Sequence, residues 1–141
     1  MPEVEYLLRF EREQSGKPTA GEAKQLSQNA GLEQQLSGAV SYDSTFTMNP
    51  DGIRFQESGT ITFEGTGGPH TLSFGSVGDG LLFPALKSAA TGMTPGTVMW
   101  SIGGGTGVFD GAQGTITSNF RVNIDTEALR DDQVAWIVLP G

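Results

Sequence analysis

The sequence predicts an all-β protein, a single closed antiparallel up-and-down β-barrel of about eight strands that spans residues 1–141 as one domain. Two observations lead to this prediction. The chain of 141 residues contains 21 glycines and 7 prolines, which indicates many turns between short segments. Polar and apolar residues also alternate along seven or eight of those segments, as in strands with one covered face. Because no strong helical pattern is present to cover an open sheet, closure into a barrel is favoured. A β-sandwich is the alternative.

In the first half of the chain, four predicted strands each carry apolar side chains on one face at every second position. These faces run through Val4–Phe10, Gly38–Met48, Ile53–Phe63 and His70–Ser76. Turns are predicted at 49–52 and 65–69 from their Pro, Asp and Gly residues. Residues 14–37 are different. Thr19 and Glu22 match a capping box, so a short helix or a loop is expected near 19–31, and this segment is the candidate lid.

The second half begins with a loop-like stretch over 75–97, in which Leu81–Phe83 forms a short strand or a plug. Strands are predicted at 97–102 and 115–122, followed by a polar connection over Asp125–Asp132. The last strand, Val134–Leu139, is apolar on both faces. Both faces therefore need cover, which predicts a homo-oligomer, most simply a dimer.

A glycine-rich stretch over residues 103–114 joins two of these strands and reads GGGTGVFDGAQG. Glycine accepts positive φ without penalty, so a sharp connection is expected here. No register of the stretch matches a dinucleotide-binding loop, and a strand follows it rather than a helix. The stretch resembles the GGTG-x-F-x-G-A-x-G signature of the allene oxide cyclase and dirigent protein barrels. That resemblance, over about residues 36–124, implies a small barrel that encloses a cavity.

Composition excludes several classes of function. The formal net charge is −8 and no basic cluster is present, so neither nucleic acid nor a membrane surface is an expected partner. There is no cysteine and one histidine, and no acidic loop has ligand spacing, so no metal or other cofactor is expected. The N-terminus lacks the pattern of a signal peptide and no long apolar run occurs, so the expected compartment is the cytoplasm.

The candidate catalytic residues are polar side chains that share a face with apolar ones: Glu57, His70 and Tyr42. A carboxyl on an apolar face has a raised pKa and suits proton transfer near neutral pH, and histidine is the other natural proton carrier. Glu57 and His70 lie on strands joined by a short connection, so they are candidate neighbours across a hairpin.

The candidate binding residues lie in the same phase of their strands. They are Tyr6, Phe55, Phe74, Trp100, Ser118 and Phe120. We expect a cavity lined by Tyr42, Phe55, Glu57, Phe74, Trp100 and Phe120. If the opposite faces line the lumen, the functional set is Asp43, Arg54, Asn119 and Arg121 instead.

The family resemblance implies a cofactor-free cyclase or isomerase of secondary metabolism, which constrains a small apolar or amphipathic organic molecule inside the barrel. Residue by residue, the resemblance extends only to the glycine motif, which is structural, and it assigns no catalytic residue. A non-catalytic binding protein of the lipocalin or dirigent type is the alternative, because apolar walls with a few orienting polar groups serve both functions.

Overall fold

The computed structural model describes residues 2–141 and shows the expected closed antiparallel barrel. Eight strands form the wall: β1 (Glu3–Arg12), β2 (Ala20–Gln25), β3 (Leu36–Met48), β4 (Arg54–Gly65), β5 (His70–Ser76), β7 (Thr94–Thr106), β8 (Gln113–Val122) and β9 (Leu129–Val138). Each pairs with the next around the ring, and β9 closes it against β1. An extra short strand, β6 (Gly80–Leu82), fills the gap beyond the end of β5 and pairs with β4 and β7. The prediction of a barrel rather than a sandwich is confirmed.

The phase of each predicted strand is also confirmed. Val4, Tyr6, Leu8 and Phe10 of β1 are buried, and the residues between them are exposed. The same alternation continues through β4, β5, β7 and β8, so the aromatic side chains of these strands fill the lumen. Inward-facing apolar side chains on every wall strand therefore provide the core that stabilises the closed ring.

The segment near 19–31 differs from its prediction. Residues 20–25 form β2, and the helix lies further along, at α1 (Ala30–Gln35), with Asn29 as its N-cap. The Thr19 hydroxyl, expected to cap a helix, accepts a hydrogen bond from Arg12 instead. Pairing with β1 and β3 supplies the backbone partners that a helix would have supplied. Gly21 lies so close to β1 that a Cβ there would collide with the Arg9 carbonyl.

The two ends of the barrel are built differently. At one end, α1 and a short 3₁₀ turn (Gly107–Phe109) insert the buried side chains of Leu32 and Phe109 and close the lumen. The glycine-rich stretch is the sharp connection that was expected there, with Gly104, Gly107 and Gly111 at positive φ. A Cβ at Gly107 would collide with the His70 ring. At the opposite end, where β1, β3, β5 and β8 finish, the lumen is open.

The connection expected over Asp125–Asp132 is shorter than predicted, because β9 begins at Leu129. A tight loop over 123–128 precedes it, in which the Asn123 side chain accepts from the backbone N–H groups of Asp125 and Thr126. The polar residues Asp131 and Gln133 thereby become inward-facing positions of β9, and both are buried.

Candidate functional site

The open end of the barrel contains a cavity of about 560 Å³. Fourteen residues line it: Arg12, Tyr42, Ser44, Phe46, Met48, Gly52, Glu57, Leu82, Phe120, Val122, Ile124, Glu127, Leu129 and Asp131. Most of them are inward positions near the open ends of β3, β4, β8 and β9. Apolar side chains cover most of the wall, and the polar ones are few and close to one another, as in sites for small organic molecules.

Glu57 is the carboxyl that the sequence singled out, and its side chain faces this cavity. Burial raises the pKa of Glu57 from 4.5 to about 7, and the nearby charge of Asp131 acts in the same direction. The Ser44 hydroxyl donates to Glu57 Oε2 at 2.7 Å and, with the Arg12 charge, partly opposes this shift. Glu57 is therefore divided between its protonated and ionised forms near neutral pH, as a proton-transferring group requires.

A second carboxyl, Asp131, lies deeper in the barrel and is 2% exposed. Three side chains donate to it: Ser118 at 2.6 Å, Gln133 at 2.9 Å and Tyr42 at 3.2 Å. Burial raises the pKa of Asp131 to about 6, and the three hydrogen bonds limit the rise. Because all three partners are donors, the cluster stabilises the ionised form of Asp131 at neutral pH.

Tyr42 connects the two carboxyls. Its hydroxyl donates to Asp131, and burial together with the charges of Asp131 and Glu57 raises the Tyr42 pKa well above its usual value. The ring is held edge-on against Phe10, with centroids 4.7 Å apart, and against Trp100 at 5.9 Å. With its proton committed to Asp131, the hydroxyl oxygen keeps its lone pairs for a hydrogen bond from a ligand in the cavity.

Arg12 is the cation of the cavity wall, and it is held at the mouth. Its Nε donates to the carbonyl oxygen of Glu127 at 2.8 Å, and its Nη1 donates to Thr19 at 3.1 Å. Glu127 has a φ of 63°, a conformation uncommon outside glycine, in the loop whose carbonyl oxygen accepts from Arg12. The guanidinium therefore ties β1, the start of β2 and the 123–128 loop together beside the entrance.

The expected lining set is only partly correct. Tyr42, Glu57 and Phe120 line the cavity, whereas Phe55, Phe74 and Trp100 lie beneath it as packed core. Phe74 stacks on Trp100 at 3.8 Å, and Phe55 stacks on Phe46 at 4.7 Å. The Phe74–Trp100 stack makes a rigid floor, whereas the Phe46–Phe55 stack lies at the mouth.

The Trp100 indole N–H lies close enough to Glu57 to lower its pKa, but it makes no hydrogen bond of normal geometry.

His70 is not part of this site, so the expected Glu57–His70 pair is wrong. His70 is 2% exposed at the closed end, six positions or about 20 Å along β5 from Ser76, which hydrogen-bonds the Glu57 backbone. Its Nδ1 accepts from the Val108 N–H at 3.0 Å, so its Nε2 carries the proton and donates to the Thr66 carbonyl at 2.7 Å. In this conformation both ring nitrogens hold the closed end together, and neither faces the cavity.

The remaining candidates divide between the interior and the outer surface. Tyr6 is buried towards the closed end, where it packs on Phe63 and donates to Gln25 at 3.1 Å. Ser118 is interior but reaches Asp131 rather than the cavity. The alternative lumen set is on the outer surface: Asp43, Arg54, Asn119 and Arg121 are all exposed, so the inverted phase is wrong. Arg54 forms an ion pair with Asp51 there at 2.7 Å.

The sequence analysis missed Asp131, Gln133 and Arg12. A signal for the first two was present, because counting back by twos from Leu139 through Ile137 and Ala135 gives Gln133 and Asp131. Arg12 similarly continues the inward series of β1 after Phe10. In the sequence alone, polar residues at such positions look like part of a loop. Only the hydrogen-bonded pairing with neighbouring strands shows that the strand continues through them.

No family model, curated protein or solved structure matches this chain. Among residues 2–141, no helix is long and apolar enough to cross a membrane. Over the same residues, no three His, Asp or Glu side chains are grouped as metal ligands would be. The side chains around the apolar cavity include three acids (Glu57, Asp131 and Glu127), a tyrosine hydroxyl and an arginine.

Proposed function

We propose that the protein is a cofactor-free cyclase or isomerase that acts on a small, largely apolar organic molecule in the open end of the barrel. One observation carries the proposal: Glu57 faces the cavity with a pKa raised to about 7, next to a second buried carboxyl. Buried carboxyls destabilise a fold unless they are paired, and strongly perturbed groups cluster at functional sites. The proposal agrees with the resemblance of the glycine-rich stretch to the allene oxide cyclase barrels.

Proton transfer would be the task of Glu57. Its protonated form donates to a substrate oxygen, and its ionised form accepts a proton from carbon, so one group can remove a proton and return it elsewhere in the same molecule. Asp131 stays ionised and fixes the Tyr42 hydroxyl, which orients the substrate. The aromatic floor restricts the substrate to few conformations, which lowers the barrier for ring closure or rearrangement.

Binding without turnover is the second candidate. It is favoured by the apolar mouth of the cavity, where Phe46, Met48 and Ile124 remain between 37% and 59% exposed. Exposed apolar side chains around a cavity indicate that something covers them when the site is occupied.

The test relies on the fact that cyclisation and isomerisation leave molecular mass unchanged. Purified protein is incubated with fractionated extracts of small apolar metabolites, and products are separated by chromatography with high-resolution mass spectrometry. We expect a compound to be converted into one of identical mass and different retention time by the wild type and by Glu64→Gln, but not by Glu57→Gln. Glu64 is the matched control because it is an exposed acid on the same strand. Retention of a compound without conversion would support the binding protein instead.

A further inference from the structure

Three acids line the cavity: Glu127 is exposed at the mouth, and the two inner carboxyls, Glu57 and Asp131, form no ion pair with the described residues. Within residues 2–141 the two ion pairs are Arg9–Asp132 and Arg54–Asp51, both on the outer surface. Arg12, the cation of the cavity wall, is tied to Glu127 and Thr19 at the mouth. Glu57, which is half-buried, and Asp131, which is buried, thus form an acid pair whose direct partners are hydrogen-bond donors, while the Arg12 charge acts on Glu57 without forming an ion pair.

Aromatic rings and a free acceptor stand beside this acid pair. Tyr42, Phe46 and Phe120 line the same cavity, and ring faces attract cations. Gln133, 1% exposed, donates its Nε2 to Asp131 but leaves its Oε1 buried without a hydrogen-bond partner. A buried unpaired acceptor is costly, but Gln133 does not line the cavity, so this oxygen is a cost to the fold rather than a contact for a ligand.

We infer that the cavity takes an organic cation, a molecule with a positively charged nitrogen head and an apolar body. The head would lie between Glu57 and the aromatic rings, as in cages that bind quaternary ammonium groups. The body would extend past Phe46, Met48 and Ile124, whose exposed surfaces it covers. The net charge of −8 favours the approach of such a molecule. The inference rests on the proposed function only in placing the ligand in this cavity.

The charged and titratable groups around Glu57 determine how binding depends on pH. Asp131 faces it from β9, Tyr42 from β3 and Arg12 from β1, while the neighbouring strands β5 and β7 contribute the neutral Ser76 and Trp100. A cation favours the ionised form of Glu57. The affinity of the protein for the cation therefore rises as the pH increases through about 7, where Glu57 titrates. Below that range Glu57 is protonated and neutral, so it no longer attracts the cation.

The experiment compares three ligands that share an octyl tail and differ in head charge: octyltrimethylammonium, 1-octanol and octanesulfonate. Affinities are measured by isothermal titration calorimetry at pH 8.5 and pH 5.5, below the micellar concentrations. We expect the cation to bind at least about tenfold tighter than the other two at pH 8.5, and severalfold more weakly at pH 5.5. The Glu57→Gln variant should lose about tenfold in affinity for the cation, and Glu64→Gln should lose none.

Three results would overturn the inference. Tightest binding of octanesulfonate would show that Arg12 governs recognition, and equal affinities for the three head groups would show that charge has no part in it. An unchanged affinity for the cation in a folded Glu57→Gln protein would overturn it as well. The proposed enzymatic function is tested separately. If the cation binds in a Glu57-dependent manner but no metabolite is converted, this inference is supported and the enzymatic function is contradicted.

Discussion

Replacing Glu57 with glutamine should change how the stability of the barrel depends on pH. Burial raises the pKa of Glu57 from 4.5 to about 7. Each pKa unit corresponds to about 1.4 kcal/mol, so ionising Glu57 in the folded protein costs about 3 to 4 kcal/mol relative to ionising it in the unfolded chain. Because the folded pKa is the higher one, protonated Glu57 contributes to the stability of the folded protein. This contribution is fully present below about pH 4.5 and is lost as the pH rises through about 7. Glutamine keeps the shape and does not ionise.

The assay is equilibrium unfolding in guanidinium chloride at pH 5 and pH 8.5, followed by circular dichroism. We expect the stability of Glu57→Gln relative to wild type to increase by about 2 to 3 kcal/mol between the two pH values, with unchanged denaturant slopes. Asp131 titrates in both proteins, so its contribution largely cancels in the difference. Glu64→Gln should follow the wild type throughout. Parallel stability curves for wild type and Glu57→Gln would refute the burial of this carboxyl.

Three further predictions concern the network, the wall and the outer surface. Ser118→Ala removes a 2.6 Å donor to Asp131 and should cost about 1 to 3 kcal/mol at pH 8, with a higher Asp131 pKa by NMR titration; an unmoved titration would contradict the network. Gly59→Ala should prevent folding or lower the melting temperature strongly, because its Cβ would meet the backbone of β3, whereas Gly103→Ala, with open space around it, should melt like wild type. Val134 pairs with Leu7, and both are exposed on the outer surface next to the exposed Trp136, so light scattering at tens of micromolar should show a wild-type dimer and a Val134→Lys monomer; a monomeric wild type would contradict dimerisation through this surface.

The fold was predictable because local patterns and closure point to the same structure. Phe55, Glu57 and Ile61 share a phase that only one face of a strand provides, and this alternation alone placed Glu57 inside. The β2 strand was not predictable, because Gly21 and Ala23 carry no apolar signal. Gly21 must be small because the β1 backbone at Arg9 passes close to it, and this requirement is visible only when β1 and β2 are paired.

The candidate site was predictable in part, for reasons of register. Periodicity assigns a side chain to a face, but it does not say which end of the barrel that face reaches. His70 and Glu57 therefore looked like neighbours, although one lies at the closed end and the other at the open end. Asp131 was not predicted as an inward-facing residue, because a polar residue at such a position has the sequence pattern of a loop. Its hydrogen bonds with Ser118 and Tyr42 join positions 13 and 89 residues apart, which local patterns do not reveal.

The most direct test of the proposed enzyme is the specificity constant kcat/KM of Glu57→Gln for the compound that the wild type converts without change of mass. We predict a loss of about a hundredfold to ten-thousandfold, the usual effect of removing a general acid or base, in a variant that is folded and at least as stable at neutral pH. Glu64→Gln should retain the wild-type value. Unchanged turnover in Glu57→Gln would contradict the role of Glu57 in proton transfer and would leave conformational constraint as the source of catalysis.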